Sequence, residues 1–188
     1  MALQKGMKLE MFLTHVDTQG KYIRFWAQTS FTDSQAIDQR LEDVKDTLSA
    51  MHPVSTEVSP GDFCLVRLVS ENRWFRARAI ERGHDSTTVH LLDYGSTEHI
   101  ANADVRTHVP QFFDLPPLAH LFILADMIPR EGSTWTENEC AQLLNLMFKC
   151  YNASILYFSC GNIPVARLSA EKSEIPVSYT HLTLPTKA

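Results

Sequence analysis

Cysteine is scarce in this chain, and what there is follows no metal pattern. Of 188 residues only four are cysteines: Cys64, Cys140, Cys150 and Cys160. None stands in a C-x-x-C pair, and no histidine follows at finger-like spacing. They read as reduced, buried thiols of a cytosolic protein. Basic charge is short too. Lys and Arg number 17 against 22 Asp and Glu, for a formal net charge of −5. A nucleic-acid binder usually shows a basic surface, because phosphate neutralisation supplies much of its affinity. The deficit counts against nucleic acid as the main partner and suits a cationic ligand such as an Arg-rich peptide. No apolar run is long enough to cross a bilayer, and no N-terminal signal peptide is visible. Internal repeats and low-complexity segments are lacking as well. His84, His90, His99, His108 and His120 are scattered without ligand spacing. Carboxylates for metal-assisted nuclease chemistry would have to cluster with arginines. Asp17, Asp126 and Arg24 stand isolated in sequence. The expectation is a chain with no catalytic residue, no cofactor and no metal.

What is present is enough apolar side chain, 44% of residues, to bury a core. Residues 8–16 suggest a first strand, 17–20 a turn, and 22–28 a second strand rich in aromatic and β-branched residues. Ile37, Leu41, Val44, Leu48 and Met51 recur at helical spacing, with Asp33 or Ser34 as cap and His52-Pro53 as the stop. Strands are expected at 63–69, 74–80, 87–92 and 98–100, with a helical turn at 102–106. Beyond Pro110 the expectations are a stiff loop at 112–117 and an apolar strand at 119–127. A T-x-x-E box at Thr136–Glu139 should open a helix carrying Cys140, Leu143, Leu144 and Met147 on one face. Strands at 151–158 and 163–168 complete the list. The stretch 177–188 continues no pattern and reads as a vector-derived tail.

Two elements stand out: Trp74-Phe75-Arg76-Ala77-Arg78 and, after a second strand, Asp93-Tyr94-Gly95. With Phe113-Asp114-Leu115-Pro116-Pro117 behind them, they give the chain its resemblance to the extended Tudor domain of PIWI-pathway Tudor proteins. The resemblance runs from about Met7 to Leu168. It implies a mainly β fold with two or three helices (α+β). A Tudor SH3-like barrel at 59–104 would be inserted in a split OB-fold, staphylococcal-nuclease-like lobe. Residues 1–58 would supply the first part of that lobe and a bridging helix, and 105–176 the second part. Splitting the lobe lets each flank complete a sheet that alone would expose edges.

The family holds methylated arginine between aromatic rings, with an asparagine on a guanidinium nitrogen. Methylation keeps the cation and blocks hydrogen bonds. By position, the cage residues here are Leu68, Phe75, Leu91, Tyr94 and Ser96. Two rings remain, two are replaced by leucine, and the amide by a hydroxyl. At about 0.5–2 kcal/mol per ring, two missing rings remove on the order of 1–4 kcal/mol. The cage is therefore degenerate, and suits an unmethylated arginine stem, an apolar side chain, or nothing. Phe75 and Tyr94 are expected to open toward solvent. Trp74 reads as core, and Arg76, Arg78 and Asp93 as cross-strand ion pairing rather than catalysis.

The resemblance implies a non-catalytic scaffold that binds the Arg/Gly-rich tail of a PIWI-class protein in cytoplasmic germ granules (nuage). Other granule proteins would be partners, membranes would not, and the isolated domain would be a monomer. Two alternatives stay open. One is a structural interaction module that no longer reads arginine. The other is weak single-stranded RNA binding through Tyr22, Phe25 and Trp26.

Overall fold

Aromatic and other apolar residues make the first hairpin. The computed structural model describes residues 3–51, 58–107, 109–129, 132 and 134–172. The tail at 177–188, the expected helix stop at His52-Pro53 and His108 lie outside the described residues. Strand β1 (Lys8–Asp17) pairs antiparallel with β2 (Arg24–Gln28), and Asp17 accepts from the Gln19 backbone N–H at 2.8 Å to shape the turn. The chain then leaves this sheet and returns at β8 (Ala119–Leu124), which pairs antiparallel with β2. Strands β9 (Cys150–Phe158) and β10 (Pro164–Lys172) close a five-stranded barrel in the order β1-β2-β8-β10-β9. The β8–β10 contact is the parallel one. Inside lie Met11, Leu13, Ile23, Phe25, Phe122 and Ile155, all nearly sealed from water.

Helix α3 (Glu137–Leu144) belongs to this barrel. The expected capping box is there: Thr136 accepts from the Glu139 N–H, and Glu139 accepts from the Thr136 N–H. The expected apolar face is only partly realised. Leu143 is buried, whereas Leu144 is half exposed, because the helix ends there and Phe148 turns back with φ 59°. Met147 reaches the core from the turn instead.

The second compact unit runs from Ser30 to Leu118. It is wider than the 59–104 stretch expected from sequence, and it takes in the helix assigned to the flanking lobe as a bridge. That helix is two: α1 (Phe31–Asp43) and α2 (Lys45–Ala50), separated at Val44 (φ −112°, ψ 3°). The apolar phase survives the break, so Ile37, Leu41 and Leu48 all reach one cluster with Leu65, Trp74, Val109, Phe112 and Leu118. The cap is Ser30, not Asp33 or Ser34. Its hydroxyl oxygen accepts from the Asp33 N–H, and Ser34 is buried one turn in.

The unit's sheet has the order β6-β5-β4-β3-β7. Its strands are β3 (Phe63–Leu68), β4 (Arg73–Arg82), β5 (Ser86–Leu91), β6 (Thr97–Ala101) and β7 (Val105–Arg106). The turn expected at 102–106 is a 3-10 turn over Asn102–Asp104 followed by the short β7, which pairs with β3. Sequence periodicity cannot register a two-residue strand.

The cysteines behave as distinct chemical groups. Burial pushes the Cys64 thiol up to about 12, with Asp62 adding to the effect. Cys150 is buried and Cys160 exposed. Iodoacetamide at mildly alkaline pH is expected to alkylate Cys160 and spare Cys64 and Cys150 until the chain unfolds, as peptide mass spectrometry would read. Folded Cys64 keeps its proton between the ordinary value of 9.0 and about 12. The folded state then binds more protons than the unfolded one, so stability falls as pH climbs through that window.

Candidate functional site

Strand register decides which side chains share a face. In the β3–β4 ladder Leu68 sits opposite Arg73, and Val66 opposite Phe75; in β4–β5, Ala77 sits opposite Leu91. With a period of two, Leu68, Arg73, Phe75 and Leu91 fall on one face. Trp74 and Arg76 fall on the other, toward α1 and the 110–118 segment. The Asp93-Tyr94-Gly95 turn is closed by Gly95 donating to the Leu91 carbonyl at 2.8 Å and Leu91 to that of Ser96 at 2.9 Å. Gly95 has φ 84°, a conformation that disfavours a Cβ. This turn brings Tyr94 to Phe75, ring centroids 5.3 Å apart and nearly perpendicular at 79°.

The two rings do not open to solvent as expected. Phe75 is 4% and Tyr94 6% exposed. One contact that encloses them comes from within the unit. The Arg73 guanidinium lies over the Phe75 ring, 5.5 Å from its centroid, and pairs with Asp38 of α1 at 3.2 Å. Burial raises the pKa of Asp38; Arg73 pulls it back, Asp93 adds to the rise, and Tyr94 opposes it. Burial likewise raises that of Glu71, against the pull of Arg73. Burial works against the charge of Arg73 itself, but Tyr94, Asp38 and Glu71 outweigh it and raise its pKa. Glu71 Oε1 is shielded from water and makes no hydrogen bond among the described residues. Leu91 is buried; Leu68 and Ser96 are half-buried around the ring pair.

A buried ion pair anchors the strand that carries Phe75. Arg76 donates to Asp93 at 2.9 and 2.6 Å and to the carbonyls of Phe112, Leu115 and Pro116 at 2.8–3.1 Å. Asp93 also accepts from the Leu118 N–H at 3.1 Å. Trp74 is buried core, with the Arg106 guanidinium 5.1 Å from its ring centroid. Arg78 takes no part in this pairing; it donates to the Gly61 carbonyl and lies over exposed Phe63.

Sequence reasoning missed Arg73, Asp38 and Glu71. The available signal was an arginine two residues before Phe75, hence on its face.

The other candidates fare differently. Phe25 is 1% exposed and stacked on Phe122 at 5.2 Å, so it offers no face to a base. Trp26 packs against His15, and Tyr22 is exposed. Arg24 and Asp17 do meet, at 2.6 Å, but Asp126 pairs with Arg167 instead. No group of three or more potential metal ligands occurs among the described residues.

Residues 3–126 match the Tudor domain family. The chain belongs to that family. The Tudor relatives include mouse (Mus musculus) Tudor domain-containing protein 6, 30% identical over 139 residues, which are 71% of this chain and 6% of that protein. The human protein of the same name is 37% identical over 89 residues, 47% of this chain and 4% of that protein. The chain thus spans about 6% of the length of the first curated relatives it matches. Among solved structures, the human TDRD1 extended Tudor domain, in complex with a symmetrically dimethylated peptide, superposes with a TM-score of 0.74 at 21% identity. It covers 93% of this chain and 86% of that one. Mouse TDRD1 extended Tudor domain TD3, in complex with a MILI peptide containing dimethylarginine, gives 0.73 at 19% identity, covering 89% and 85%. Drosophila melanogaster Papi extended Tudor domain gives 0.73 at 19%, covering 92% and 94%. These likenesses establish the extended Tudor fold.

Proposed function

We propose that this chain is a non-catalytic module that binds arginine-containing peptides through the Phe75–Tyr94 ring pair. The observation that carries the reading is the Arg73 guanidinium lying over the Phe75 ring beside the carboxylate of Asp38. The site already accommodates a guanidinium on a ring with a counter-charge. Leu68 and Leu91 contribute apolar walls that suit an arginine stem, and Ser96 a hydroxyl where the family has an amide. Further support comes from the TDRD1 domains, which were solved with dimethylated peptides. The partner we favour is the Arg/Gly-rich tail of a PIWI-class protein, met in cytoplasmic germ granules alongside other granule proteins.

Titration of matched Arg-Gly peptides, unmethylated and symmetrically dimethylated, tests this. Alanine at Phe75 or Tyr94 is expected to weaken binding by roughly 2- to 30-fold, about 0.5–2 kcal/mol of cation–π attraction per ring. Affinity unchanged in both variants would remove the ring pair from recognition. The near-complete burial of both rings favours a second reading, a structural interaction module that does not read arginine. Under that reading the two alanine variants lose stability and keep partner binding.

A further inference from the structure

We infer that Arg73 is a built-in cover of the Phe75–Tyr94 ring pair and determines which cations can reach it. This rests on the reading of Phe75 and Tyr94 as an arginine site. Register puts Arg73 on the face of Leu68, Phe75 and Leu91, among the residues that would line that site. Its guanidinium carbon stands 5.5 Å from the Phe75 centroid, within the separation at which a ligand cation stacks. Asp38 holds the same group at 3.2 Å. A ring and a carboxylate are what a peptide arginine would seek here, and a side chain of the protein has both.

An incoming guanidinium therefore meets a resident of the same charge and shape. It stacks on Phe75 only if Arg73 moves off, since two like charges on one ring repel. Asp38 and Glu71 both act on Arg73, and Glu98 acts on Glu71, so carboxylates outnumber the resident cation. Glu71 keeps one oxygen shielded and without a hydrogen bond, which offers the displaced guanidinium a second carboxylate. Arg73 thus sets a threshold. A bare arginine gains little by replacing it, and a ligand must bring extra contacts from its flanking residues or its methyl groups.

Two measurements on the full chain test the inference separately from the functional reading. In the first, methylguanidinium chloride at low millimolar concentration is the probe. It is expected to raise the melting temperature of Arg73→Ala and not of wild type, and adding Phe75→Ala should abolish the rise. Equal responses of wild type and Arg73→Ala overturn the inference. Arg73→Gln serves the same comparison if the alanine variant does not fold. In the second, an unmethylated Gly-Arg-Gly-Arg peptide is expected to bind Arg73→Ala about tenfold more tightly than wild type, from the ring face set free. An unchanged or lower affinity also overturns it. Peptide binding that ignores Phe75 in both backgrounds would overturn the functional reading instead, whatever the methylguanidinium result.

Discussion

Replacing Arg76 by methionine is expected to cost about 3–5 kcal/mol of stability, because it leaves a buried carboxylate without its partner. The Arg76 side chain is 0% and that of Asp93 7% exposed. A guanidinium has five N–H donors, and here every one is used: two on Asp93 and three on backbone carbonyls. The methionine variant takes the Arg76 cation from Asp93 and its three donors from the carbonyls of Phe112, Leu115 and Pro116. Lysine is no rescue, since its ammonium has three donors and no planar fork. Urea denaturation would read the loss, and hydrogen exchange should place it in 63–106. Removing both charges, Arg76→Met with Asp93→Leu, should recover part of the loss. A buried pair costs more to break than to replace. A single-variant loss below about 1 kcal/mol would mean the pair is dispensable.

The other large effect is expected in the barrel. Phe122 is fully buried and stacks on Phe25 at 5.2 Å with 15° between the rings. Truncation to alanine removes the ring and leaves a void among Met11, Leu13 and Ile155, at a cost of about 3–5 kcal/mol. Tyr22→Ala is the control. Tyr22 is 57% exposed, so its change should stay within about 0.5 kcal/mol. Thermal unfolding followed by near-UV circular dichroism separates them. The same pair of variants tests whether the Tyr22–Trp26 stretch is packing or platform. If oligonucleotides bind and Tyr22→Ala loses them while remaining stable, a stacking role returns.

The sequence made the architecture readable because its signals are local. Apolar and β-branched runs mark β3 to β5, the Thr136–Glu139 box marks α3, and Asp93-Tyr94-Gly95 marks a turn that needs positive φ. Elements no longer than one period, such as β7 at Val105–Arg106, leave no such mark. The site was half legible. Phe75 and Tyr94 stand in motifs, and they do meet. Their burial was not legible, because the Arg73–Asp38 contact joins a strand end to a helix distant in sequence. The reason for the 113–117 run was equally hidden. Two of its carbonyls, with that of Phe112, are held by Arg76, a relation no pattern within either segment encodes.

Gln28 and Ala119 are direct register partners, yet the whole of Ser30–Leu118 lies between them. To the barrel, that stretch is one closing loop. Closing roughly ninety slack residues costs more entropy than a tight turn, although the penalty grows only logarithmically. A stretch that has already condensed, with its ends held together, asks much less. Nascent chains would then gain by organising the middle before the flanks, so that the last sheet to knit contains β1, a strand made before that middle.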